Sequence, residues 1–240
     1  MPRKSLVRYF RVRRKGPEAA LEKAVALRAH DLFPSRQHLL WLGASLEVGA
    51  GMPDLLIVAC PRWVSELPKM DRGDVRILAF LRSVSRAASS TIAEGTGLDQ
   101  RAVERRLGAL TEASALRLSG RSYRLQSRLR DVLPEIVAVE AKVHDWRGAI
   151  AQAARNRVLA HRTYIALPEQ VAHRIAAVSD LSTHGVGLLA VRGETVTEFK
   201  SSPRRRPLVW SYYYGLVSTI ARTGVDSRRG HGIRVGHRRG

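Results

Sequence analysis

Asp54, Glu140 and Lys142 stand in apolar runs, where a charged side chain needs a reason. The run PDLLIVAC (53–60) opens on Pro53-Asp54, and EIVAVEAKVHDW (135–146) holds Glu140 and Lys142 two positions apart among valines and alanines. Successive side chains of an extended strand point to opposite faces. Glu140 and Lys142 would therefore project side by side from one face, with the valines turned toward a core. Charges in a buried strand are costly unless they are paired, solvated or used. One account is an edge strand carrying an ordinary ion pair. The other is phosphodiester hydrolysis, in which a water must be made nucleophilic and a developing negative charge neutralised. A hard cation, Mg²⁺ (or Mn²⁺), suits both tasks, because it binds one or two carboxylates and keeps several waters. Asp54 and Glu140 would be those carboxylates. Lys142 would orient the attacking water or stabilise the charge that develops at phosphorus. A role for Lys142 as general base needs a depressed pKa, which nearby positive charge favours and two carboxylates oppose.

The elements that must position these groups follow from the periodicity of the chain. Pro17 followed by EAALEKAVALRAHDLF predicts a helix with proline in its first turn and an apolar stripe at Ala20, Leu21, Ala24, Val25 and Leu32. HLLWLGASLEV (38–48) reads as a strand, GAGM as a turn and PDLLIVAC as a short buried strand. Helical texture then takes over. Residues 74–87 form one amphipathic helix, SSTIAEGTGL a short helix capped by serine and stopped by glycine, and DQRAVERRLGALTEASAL a third with Asp99 as N-cap. LRLSGRSYRL (116–125) is a hairpin around Ser119-Gly120. After the strand 135–143 come helix RGAIAQAARNRVLAH, strand RTYIALP, helix EQVAHRIAAVSDL, strands VGLLAV and TVTEFK, and a helix in PLVWSYYYGLVSTIART.

Gly-x-Pro-Asp at the head of an apolar strand (Gly51, Pro53, Asp54), a later strand ending Glu-x-Lys, a following helix with Gln152 and a strand TYIALP together resemble the PD-(D/E)xK nuclease superfamily. That group includes restriction endonucleases, Holliday-junction resolvases and archaeal-type repair nucleases. The resemblance covers residues ~17–60 and ~135–200. It implies an α/β fold, a restriction-endonuclease-like mixed central sheet flanked by helices. It further implies metal ligation by Asp54, Glu140 and the Ala141 carbonyl, catalysis by Lys142, and a supporting Gln152. A further acid often comes from the first helix or near the Pro-Asp turn; Glu22, Glu18 and Glu47 are candidates, and Glu22 is the expected one. Asp54 and Glu140 are 86 positions apart, and the helix-rich piece between them accounts for the length as an insertion.

That piece, residues ~70–127, resembles a winged helix-turn-helix, quoted in ILAFLR, the turn IAEGTGL, the helix with VERRLGAL and the wing LRLSGRSYRL. With Val103, Leu107 and Leu110 inward, the third helix turns Gln100, Arg101, Glu104 and Arg105 outward. Arginine matches guanine bidentately and glutamine matches adenine, so this face has base-reading chemistry. Arg117, Arg121 and Arg124 on the wing would touch phosphates. Residues 74–130 carry eleven arginines against five acids. The expected organisation is a discontinuous nuclease-like domain (1–66 and 131–225), the insert (67–130) and a basic disordered tail (226–240).

A net charge of +20 on 240 residues and a pI near 11.4 attract polyanions, so DNA is the expected partner. No run of about 18 apolar residues is present, and the start of the chain has seven basic residues and no acid in its first fifteen. This start reads as an arm on a phosphate backbone. With one cysteine, Cys60, the chain suits a reducing compartment, and a cytoplasmic, nucleoid-associated protein without membrane contact is expected. The resemblance implies a homodimer, since two strands need two cuts. The alternative to a DNA endonuclease is a catalytically inactive DNA-binding transcriptional regulator on the same scaffold. A basic RNA-binding protein is the third class. No phosphate-binding G-x-x-x-x-G-K-[ST] and no G-x-S-x-G elbow occurs.

Overall fold

The computed structural model describes residues 7–224 apart from 13, 14, 36, 50 and 178. The expected disordered tail and most of the expected basic arm lie outside the described residues. A seven-stranded mixed sheet forms the centre, in the order β1 (Val7–Tyr9), β2 (Leu39–Ala44), β3 (Leu55–Cys60), β6 (Glu135–Ala141), β7 (Arg162–Pro168), β8 (Gly187–Arg192) and β9 (Thr195–Lys200). β2–β3, β3–β6 and β8–β9 pair antiparallel; β1–β2, β6–β7 and β7–β8 pair parallel. The protein is thus α/β with a mixed central sheet. The strand with Glu140 is no edge: β6 lies between β3 and β7, so the ion pair on an outer strand is ruled out.

One face of the sheet is covered by α1 (Pro17–Leu27), whose Leu21, Ala24 and Val25 pack on Ile57, Val137 and Val139. Pro17 opens this helix, as its fixed φ favours. The expected longer helix breaks at Arg28, whose N–H is shared between the carbonyls of Ala24 and Val25, and a short α2 (Ala29–Leu32) follows. β2 stops at Ala44, short of the expected 48. Ser45 takes a left-handed φ of 53° and its N–H turns to the Asp54 carbonyl.

The other face carries α7 (Trp146–Arg155), α8 (Glu169–Ile175) and α9 (Ser179–His184), which divide the helix expected over EQVAHRIAAVSDL into two. It also carries everything between β3 and β6. There, α3 (Arg72–Val84), α4 (Ser89–Thr96) and α5 (Gln100–Glu112) precede a hairpin, β4 (Leu116–Ser119) with β5 (Ser122–Leu125), and a single turn α6 (Ser127–Arg130). α3 starts on a reciprocal cap between Asp71 and Asp74. α4 lacks the expected serine cap: its N-cap is Ala88, and the Ser89 hydroxyl accepts from Gln100 instead. Gly97 ends it in the left-handed conformation that glycine adopts without strain. Ile77, Leu78, Leu81, Ile92, Val103 and Leu107 join Trp41, Leu56, Val58 and Ile136 in one continuous core.

α10 (Trp210–Thr223) ties the two together. The Tyr213 hydroxyl accepts from the Leu133 N–H at 2.7 Å. The Tyr214 hydroxyl donates to the Leu129 carbonyl at 2.8 Å, and the Ser218 hydroxyl donates to the Met70 carbonyl at 2.8 Å. These three bonds grip the chain where it leaves the sheet and where it returns. Buried tyrosine needs such partners, and here their positions fix the seam.

His161 anchors the start of β6 and β7. Its backbone N–H donates to the Ile136 carbonyl, and its Nδ1 accepts from the Ile136 N–H at 3.0 Å. Burial, followed by the charge of Arg204, holds the imidazole down to about 4. The unfolded chain binds this proton near 6.5, so stability is complete above that pH and is lost as pH falls through 4. His161→Asn keeps an acceptor and removes the titration. Urea unfolding should give the wild type a lead over this variant at pH 7.5 that shrinks by up to about 3 kcal/mol at pH 4. A lead independent of pH would show that His161 is not held neutral.

Candidate active site

The register of β3 on β6 brings the two carboxylates together. Leu55 lies opposite Val139 in this antiparallel pair, so the preceding Asp54 faces the following Glu140. Along β6, Val137, Val139 and Ala141 turn toward α1, while Ile136 and Ala138 turn to the opposite core, so both faces of the strand are buried. Glu140 shares the second face and is 5% exposed. Like charges directly opposite on paired strands repel. Accordingly burial first, and the Asp54 charge second, push the Glu140 carboxyl up to about 8. An arrangement that destabilises itself in this way is a mark of functional sites.

Lys142 sits just beyond the strand, its N–H donating to the Ala166 carbonyl of β7. Its Nζ lies 3.4 Å from Asp54 Oδ2, 3.2 Å from the Ala141 carbonyl and 3.6 Å from Glu18. The same Asp54 oxygen, Oδ2, also accepts from the Ala141 N–H at 2.9 Å. Asp54, Glu140 and Lys142 thus meet at one cavity of about 180 Å³, which Gln152, Arg155 and Asn156 of the following helix and turn also line.

Of the three acids weighed as a further member, Glu18 is in ion-pair reach of Lys142. Glu22, one turn further along α1, is half-buried and does not line the cavity. Glu47 is exposed and pairs with Arg11. Gln152 lines the cavity, with its Oε1 buried and without a hydrogen-bond partner. A buried amide oxygen left alone is uncommon, and it asks for a partner in the cavity itself. Asn156 was not foreseen. Buried and one turn after Gln152, it donates from Nδ2 to Glu140 Oε1 at 2.7 Å. The signal was there, since residues four apart share a helix face.

Among the described residues no group of three or more His, Cys, Asp or Glu side chains could hold a metal ion. What the cavity offers is two carboxylates and a lone amide oxygen. That all-oxygen set fits a hard cation that keeps part of its water shell. It does not fit Zn²⁺ or a soft metal, which want nitrogen or sulfur.

The base-reading face expected on α5 is divided. Arg101 and Arg105 are exposed. The Gln100 amide donates to Ser89 and to Glu104 Oε1 at 2.6 Å, so it is held by its own module. Arg106 is drawn inward to Asp71 and Asp74. On the hairpin, Arg117 lies directly opposite Arg124, and both are exposed, as is Arg121. Opposed like charges are unfavourable unless an anion meets them. No family model, curated protein or solved structure matches this chain.

Glu140→Gln keeps the acceptor for Asn156 and removes the repulsion from Asp54. In chelator its melting temperature should equal or exceed that of the wild type, and Mn²⁺ should raise the melting temperature of the wild type alone. A variant less stable than wild type in chelator would mean that the Glu140 charge serves the fold.

Proposed function

We propose that this chain is a metal-dependent DNA endonuclease of the PD-(D/E)xK kind, which hydrolyses phosphodiesters at Asp54, Glu140 and Lys142. The observation that carries the proposal is the meeting of Asp54 with Glu140, 86 positions on, and with Lys142 at a cavity with an unpartnered Gln152 oxygen. A divalent ion on Asp54, Glu140 and the Ala141 carbonyl would supply an activated water and neutralise phosphate charge. The chain's own groups do the rest. Lys142, held by Asp54, the Ala141 carbonyl and Glu18, would exchange one of these partners for a phosphate oxygen and steady the charge that grows as water bonds to phosphorus and the ester oxygen departs. Asn156 fixes the rotamer of Glu140, and Gln152 orients water in the cavity.

In the same proposal residues ~70–127 act as a winged helix-turn-helix that grips duplex DNA. The exposed Arg101 and Arg105 lie in the groove, and Arg117, Arg121 and Arg124 reach phosphates. The opposed pair Arg117–Arg124 favours this over a surface for another protein. Gln100 would read a base only after exchanging its bonds to Ser89 and Glu104.

Cleavage of plasmid DNA in Mg²⁺ tests the proposal. Lys142→Ala should lower the rate by at least about 10²-fold, and chelator should abolish it, while DNA affinity stays. Binding without cleavage at any divalent ion would replace the nuclease by the regulator on the same scaffold. Arg105→Ala should cost about 1–3 kcal/mol on a preferred sequence and less on others, by competition binding.

A further inference from the structure

Arg157 and Arg205 come together from distant parts of the chain, yet neither finds an acid. Arg157 belongs to the 3-10 turn that follows α7; Arg205 lies in the segment PRRRP after β9. Their guanidinium nitrogens flank Gly185: a Cβ there would stand 3.2 Å from Arg157 Nη1 and 3.5 Å from Arg205 Nη2. Among the described residues neither side chain has a hydrogen bond or an ion pair. Burial and the charge of Arg205 both hold the Arg157 guanidinium below its usual value.

The surroundings are built to keep this convergence. The Ser202 hydroxyl donates to the Gly185 carbonyl at 3.1 Å and accepts from the Thr163 N–H at 3.1 Å. The Arg205 N–H donates to the His161 carbonyl at 2.9 Å. The neighbouring Arg204 is spent on Glu135 and the Pro134 carbonyl, which fixes the direction in which Arg205 leaves the chain. Gly185 itself has a φ of +64°, the left-handed region, and a Cβ there would press on Pro203 as well as on Arg157, both at 3.2 Å. Two like charges held this near are a cost in the free protein. An anion shared between them turns the repulsion into charge-assisted bonding, and the planar fork of arginine fits the oxygens of a phosphate.

We propose that Arg157 and Arg205 clamp one backbone phosphate of bound nucleic acid over Gly185. The clamp is continuous with the cavity at Asp54 in the chain, because Arg155 and Asn156 line it and Arg157 is the next residue. It rests on the DNA-binding proposal above, and the ligand chemistry is a phosphate oxyanion.

The test uses the full chain and a 30-bp duplex of arbitrary sequence, without divalent ions, across a salt series. The variants are Arg157→Gln, Arg205→Gln, both together, and the double lysine exchange. Circular dichroism melting establishes that each folds. Each single glutamine variant should bind roughly tenfold more weakly. The log–log salt slope should fall by about 0.9 in the double variant and no further, since both arginines hold one phosphate. The lysine pair should keep the slope and lose part of the affinity. Wild-type affinity and slope in the double variant overturn the clamp while leaving DNA binding intact. Failure of the wild type to bind the duplex overturns the DNA proposal itself. Inorganic phosphate then separates the sources: a melting-temperature rise that the double variant lacks assigns a free-phosphate site and overturns the backbone clamp. No rise in either protein, beside the weaker and flatter DNA binding of the double variant, is the result expected of a backbone clamp.

Discussion

The antiparallel pairing of β3 with β6 sets Asp54 against Glu140, and the rest of the molecule accommodates that contact. Two carboxylates opposed at the end of central strands cost stability unless a cation or a proton lies between them. The protein supplies half of the answer itself. Lys142 offsets Asp54, Asn156 satisfies one oxygen of Glu140, and the second core covers the strand. What remains is a cavity short of positive charge at its acids and short of a donor at Gln152. Such tension is tolerated in natural proteins where it serves the chemistry.

The sheet and the helical piece share one core, although the sequence separates them by texture. Trp41 and Leu56 of the sheet lie in the same cluster as Leu81 and Leu107 of the helices, and Tyr213 and Tyr214 of α10 complete it. The strands that carry Asp54 and Glu140 therefore pair across a connection that is itself folded. The entropy of closing a loop that long is met by the helices' own burial and by the α10 bonds to Met70, Leu129 and Leu133.

The apolar periodicity and the cap and turn residues made most elements legible: Pro17, Asp99 and Gly97 mark boundaries that the structure keeps. Local sequence did not carry the order of the strands. β6 reads as half-buried on its own, and its central place depends on β3, a partner 80 or so residues away. The choice between Glu18 and Glu22 was equally hidden, since residues one helical turn apart share a face and only the approach of Lys142 separates them. Asn156 was recoverable from its spacing to Gln152. Arg157 and Arg205 were not, because nothing local announces that two arginines 48 positions apart will meet over a glycine.

The three α10 hydrogen bonds have a geometric consequence. A module on a pliant tether can reach many points of a polymer, whereas one sewn at both its entry and its exit turns with the sheet as one body. If α5 and the hairpin hold a double helix, the cavity at Asp54 is carried to one phase of that helix, so the molecule would measure an interval along its ligand like a ruler.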